Sequence, residues 1–129
     1  MNQKNIIDKA YKISDKYHVI LKGHITICDN VNCIMFAHYC KSIPFYKDFF
    51  KVFHDIIKVN RVANKNLKVI KRLIKHYGYS KIWVKGVFSF YGDLRPLAVE
   101  AGFGKWSKDG LVENEKYGTD FLITAIFYK

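Results

Sequence analysis

The stretch DLRPLAVEAGFGKWSKDGLVENEKYG, residues 93 to 118, decides how this chain is to be read. Its glycines come first. Gly102 and Gly104 permit positive backbone angles or the close approach of another group, and Gly110 does the same further along. Tyr117-Gly118 marks a tight turn before the last apolar run. A loop of this composition is expected to present backbone N–H groups to a polar ligand. Pro96 to Glu100 has the length and composition of a short helix closed by Gly102, with Asp93 placed to cap it. Leu111 to Val112 and Phe121 to Phe127 read as strands.

Upstream, Ile6, Ile7, Ala10, Tyr11 and Ile13 recur at helical spacing, predicting a first helix between Asn5 and Tyr17. The stretch from His18 to Cys40 is rich in β-favouring residues and is broken by Asp29-Asn30-Val31-Asn32, which predicts two strands around a turn. Ser42 and Pro44 resemble an N-cap and a first-turn proline. The helix they open is expected to bury a wide apolar face of Phe45, Phe49, Phe50, Phe53, Ile56 and Ile57. A further helix is predicted from Asn64 to Tyr77, ended by Gly78, and a strand from Lys81 to Phe90. Helices mixed with several strands indicate one α+β layered domain over residues 1–129, its helices packed on a mixed or antiparallel sheet. The strand order does not follow from the pattern.

With 50% apolar residues and 16% aromatic ones, the chain has material for an ordinary core and is not of disordered composition. Its formal charge of +11 comes from 22 Lys and Arg against 11 Asp and Glu, a balance that favours an anionic partner such as RNA, a phosphorylated cofactor or a membrane surface. Only three of the cations are Arg (Arg61, Arg72 and Arg95), whereas selective phosphate recognition more often uses the planar Arg fork. No apolar run approaches the roughly 20 residues needed to cross a bilayer. The first residues hold no signal-peptide core, and three cysteines suit a reducing compartment, so a cytoplasmic protein is expected.

Residues 93–118 resemble the cobalamin-binding domain of epoxyqueuosine reductases and the related reductive dehalogenases. The family pattern runs Asp-x-x-Pro, Ala-Gly-Leu-Gly, Gly-Lys-Asn-(Gly)-Leu-Leu-Ile, Tyr-Gly. Here Asp93 and Pro96 fit the first element and Ala101-Gly102-Phe103-Gly104 the second. Lys108-Asp109-Gly110-Leu111 fits most of the third and Tyr117-Gly118 the fourth, in the same order and at similar intervals. Weaker similarity extends back to about residue 25. The resemblance implies a nitroreductase-like α+β fold, bound cobalamin, a role for Asp93 as proton-donating acid, and cofactor contacts from Gly102, Gly104, Lys108, Gly110, Tyr117 and Gly118. It also implies a link to queuosine in tRNA, and homodimers are frequent in such folds. The chain has no Cys-x-x-Cys-x-x-Cys-x-x-x-Cys-Pro run, the spacing with which these enzymes hold iron–sulfur clusters, so a separate iron–sulfur reductase would have to supply electrons. A non-catalytic binding or regulatory protein of the same fold, contacting RNA through its lysines, is the alternative.

Other groupings are less specific. His24, Cys28, Cys33, His38 and Cys40 place five soft-metal ligands within seventeen positions, at a spacing that matches no motif. A hairpin in the right register would gather them, and small buried thiols explain the cysteines as well. Trp106 and Tyr91 are candidates for stacking on a planar ligand or for packing. The basic helix Lys65 to Lys75, with Tyr77 and Tyr79 beside it, offers phosphate and base contacts or a solvated face.

Overall fold

A computed structural model describes residues 2–41, 49–85 and 94–129. Helix α1 (Asn2–Ser14) and a 3-10 turn (Asp15–Tyr17) lead into strand β1 (Val19–Ile27). A second 3-10 turn at Cys28–Asn30 returns the chain as β2 (Val31–Tyr39). Asp29 and Asn30 take the left-handed conformation there, at φ of 65° and 61°, which short polar side chains tolerate. The long helix α2 (Phe49–His76) follows, then β3 (Ile82–Lys85), α3 (Arg95–Glu100), the short strands β4 (Lys105–Trp106) and β5 (Val112–Glu113), and β6 (Phe121–Tyr128). Among the described residues the main sheet has the order β1-β2-β6-β3, with every pair antiparallel.

The fold is therefore α+β on an antiparallel sheet, and the sheet is covered on both faces. One face carries Ile34 and Phe36 of β2 and Ile126 and Tyr128 of β6 against Ile6, Ile7 and Ala10 of α1 and Leu67, Ile70 and Ile74 of α2. The other carries Cys33, Met35, Ala37, Ala125 and Phe127 against Ala98 of α3, Phe103 and Val112. Double coverage explains why Cys33 to His38 form an unbroken buried run instead of an alternating one. Tyr128 closes the end of the sheet, its hydroxyl donating to Gln3 Oε1 at 2.7 Å and its ring meeting Tyr79 edge-on.

Several expectations need correction. The two helices expected before and after Asn64 are one helix of 28 residues, about 42 Å long. Val59, Val62, Ala63 and Asn66 carry the inward stripe across the interval, and Asn64 faces solvent. The apolar face expected at the helix start is largely outside the core: Phe49, Phe50, Phe53 and Ile57 are exposed, Phe50 to 82%, with Val52 buried and Ile56 half-buried. The proposed start at Ser42, Pro44 and Phe45 lies outside the described residues, as do residues 86–90 of the expected strand. The strand expected at Leu111 to Val112 runs Val112–Glu113 and pairs with β4, which the sequence pattern did not mark.

Candidate functional site

Residues 94–118 form one folded unit on the sheet face opposite α1 and α2. Helix α3 begins with Leu94 at its cap position and Pro96 in its first turn, where a missing N–H costs nothing. Among the described residues no side chain caps it, and Asp93 lies outside them. The helix closes as a Schellman motif. Gly102 N–H donates to the Val99 carbonyl at 3.1 Å and Phe103 N–H to the Ala98 carbonyl at 2.9 Å, with Gly102 at φ +89°. Phe103 then drops into the core at 2% exposure. Gly23 of β1 allows this turn to approach, since a Cβ there would lie 2.9 Å from the Ala101 carbonyl oxygen.

From Phe103 the chain runs out along β4 and back along β5. Gly104 is bare because of that hairpin: a Cβ would fall on the Glu113 carbonyl, 2.6 Å from its carbon. Ser107 organises the tip, its N–H donating to the Leu111 carbonyl at 2.8 Å and its Oγ accepting from Leu111 N–H at 3.1 Å. Arg95 donates to the Gly110 carbonyl at 2.8 Å and ties the tip to α3. Asn114, which sequence reasoning missed, organises the base. Its amide donates to the Phe103 carbonyl at 2.8 Å, and its Oδ1 accepts from the N–H groups of Lys116 and Tyr117 at 2.9 and 3.1 Å. Asn114 and Gly118 exchange both backbone hydrogen bonds. The available signal was an Asn three residues before Tyr-Gly, an Asx-turn pattern.

The expected site residues are thus divided. Gly102 and Gly104 line a recess of about 420 Å³ with Phe103, Lys105, Glu113, Asn114 and Glu115. Lys108 and Gly110 belong to the exposed hairpin tip, and Tyr117 and Gly118 to the turn behind Asn114. The N–H groups of Gly102, Phe103, Ser107, Gly110, Leu111, Asn114, Lys116, Tyr117 and Gly118 are engaged within the unit itself. Side chains and the open backbone face of Gly102, which has nothing within 4 Å among the described residues, are left to meet a ligand here. Trp106 projects from β4 at 49% exposure, and Tyr91 lies outside the described residues.

The His and Cys residues of β1 and β2 stay apart. Ile25 pairs with Cys33 and His24 with Ile34, so His24 shares the α1 side with Ile34 while Cys33 faces α3. His24 Nδ1 instead meets the Tyr11 hydroxyl at 3.0 Å. Among the described residues no group of three His, Cys, Asp or Glu could hold a metal. Cys33 is fully buried, and burial pushes its thiol up to about 12, Lys85 opposing. Among those residues, too, no helix is long and apolar enough to cross a membrane. Comparison with protein-family models, curated proteins and solved structures finds no match for this chain.

Proposed function

We propose that this chain is a nitroreductase-like, corrinoid-binding domain that acts as a reductase component, with electrons supplied by a separate iron–sulfur protein. The observation that carries the reading is the recess beside Gly102, at the centre of the segment resembling epoxyqueuosine reductases. A corrin ring is fringed with carboxamides. Lys105 is placed to donate to an amide oxygen and Glu113 and Glu115 to accept from amide N–H, while bare Gly102 lets the ring edge approach the backbone. At about 420 Å³ the recess suits one edge of so large a ligand, with the rest lying over the surface. Gly102, Lys105, Glu113 and Glu115 would hold cobalamin, whose cobalt would supply the low-valent chemistry for reducing an oxygenated carbon. Asp93 is the acid proposed to furnish the proton, as the resemblance implies. The test is retention of cobalamin. The protein is mixed with hydroxocobalamin under reducing conditions, passed over gel filtration and read by its visible spectrum. Co-elution with an altered spectrum, lost in Lys105→Glu, supports the reading; elution of all corrinoid at its free volume overturns it.

A second reading, RNA binding, has its own support in α2. Lys58, Lys65 and Arg72 recur every seven residues, as do Arg61, Lys68 and Lys75, giving two adjacent cationic rows on one side of the helix, about 25 Å long. No acidic side chain occurs from Ile56 to Gly92, and none of these six cations forms an ion pair among the described residues. Counterion release predicts tRNA affinity that falls steeply with salt, with a log–log slope that Lys65→Gln and Lys68→Gln together reduce by about two. Binding that ignores salt overturns this reading.

A further inference from the structure

His38 sits on the helix-facing side of the sheet, near the end of β2, at 3% exposure. Among the described residues neither ring nitrogen has a hydrogen-bond partner. Burial, reinforced by His18, holds the ring's pKa below its ordinary value, opposed by the Tyr17 backbone, which lies close without reaching hydrogen-bonding geometry. The ring is therefore neutral at pH 7, with one N–H donor and one acceptor. More than nine-tenths of buried polar groups in folded proteins find a partner, and one left without is costly. His38 does not face packed side chains alone. It lines a recess of about 210 Å³ with His18, Tyr39, Lys58, Val59 and Val62.

The lining defines the ligand. Val59 and Val62, three apart on α2, make the apolar wall, and Tyr39, next to His38 at the end of β2, completes the lining. His38 contributes the buried polar atoms, and Lys58 the cation, exposed and without an ion pair among the described residues. Burial raises the Cys40 thiol, with Asp55 and Asp120 adding to it, and neither carboxylate is among the groups that shift His38. The volume equals that of about seven waters and falls below the roughly 300 Å³ at which pockets for drug-sized ligands begin. We propose that the recess between β2 and α2 binds a small organic anion with a compact apolar body, a monocarboxylate of about the size of benzoate. Its carboxylate meets Lys58 and the His38 N–H, and its body lies against Val59 and Val62. This site lies on the sheet face opposite the Gly102 recess and stands independently of corrinoid binding.

Long-range ¹H–¹⁵N spectra of the histidine rings read the site directly. Benzoate is titrated into the ¹⁵N-labelled full chain and compared with benzamide, which has the same shape without the charge. The expected result is a His38 shift that saturates below about 10 mM benzoate and is at least fivefold weaker with benzamide. Lys58→Met, an exposed substitution that leaves the core intact, should weaken benzoate by a similar factor. Val62→Phe, which fills the recess, should abolish the shift, its fold being checked by an unchanged backbone spectrum. No saturable shift with benzoate overturns the site. Equal binding of benzoate and benzamide, or benzoate binding untouched by Lys58→Met, overturns the assignment of an anion.

Discussion

Gly102 and Gly104 stand two residues apart and are required for different reasons. Gly102 supplies the left-handed angle of a Schellman turn and faces open space, whereas Gly104 makes room for the Glu113 backbone. Gly104→Ala must therefore spread the β4–β5 hairpin, and a loss of about 1–3 kcal/mol is expected in denaturant unfolding. Unchanged stability with weakened ligand binding would mean instead that the bare backbone serves a ligand. The fully buried Cys33 and Tyr128 predict a limit in alkali. Burial raises Cys33 from an ordinary value near 9 to about 12, against Lys85. Burial likewise raises Tyr128 from 10 to about 12, against its hydrogen bond with Gln3 and with help from Tyr79 and Cys33. The unfolded chain releases these protons first, so between about pH 9 and 12 it binds fewer protons than the folded chain, and stability falls as pH rises. Urea midpoints at pH 8, 9, 10 and 11 should decline from about pH 9. Cys33→Ala should remove the earlier part of that decline, and a flat profile would contradict the assignment.

At the scale of elements, α2 is held by the stripe that its sequence least advertises. Asn66 faces the sheet at 0% exposure, and among the described residues neither end of its amide has a partner; the hydroxyl of buried Thr124, on the sheet face beneath the helices, has none there either. An apolar side chain of the same branching relieves a buried unpaired amide, so Asn66→Leu should raise the melting temperature by a few degrees. A fall would show that the amide is satisfied by a bound partner. Such a residue also marks where sequence reading stops. The strand pair β1–β2, the short helix after Pro96 and strand β6 were legible because their periodicity and turn residues agree with their burial. The continuity of α2 was not, because the buried Asn66 stands in its inward stripe and Asn60 and Asn64 break up the apolar pattern around it, while tertiary packing keeps the helix intact. Nor was the exposure of Phe49, Phe50 and Phe53, since helical spacing gives the direction of an apolar face but not what covers it. In the candidate site the glycines stood out in the sequence. The division of labour among them, and the role of Asn114, depended on which strands meet.

For the whole molecule the dominant quantity is a formal charge of +11. The described residues offer little local compensation: one short pair, Lys22 to Asp15 at 2.6 Å, and a loose one, His54 to Asp55 at 4.0 Å. Along α2 like charges stand three and four residues apart, as at Arg61 and Lys65 or Lys68 and Arg72, an arrangement that costs a helix about 0.2–0.5 kcal/mol per pair. The compact state therefore carries a repulsion that the expanded chain relieves, and salt should reduce it. Between 10 and 150 mM NaCl the screening length shrinks from about 30 to about 8 Å, below the length of the α2 rows. The melting temperature should rise by about 2–5 °C over that interval, measured at constant pH. Replacing Lys65, Lys68 and Arg72 together by Gln separates the helix rows from the charge at large. If the rows dominate, the triple variant melts higher than the parent in 10 mM salt and converges with it at 150 mM. A parent whose melting temperature falls with added salt would place net attraction, not repulsion, among these charges and would remove the electrostatic case for a polyanionic partner on α2.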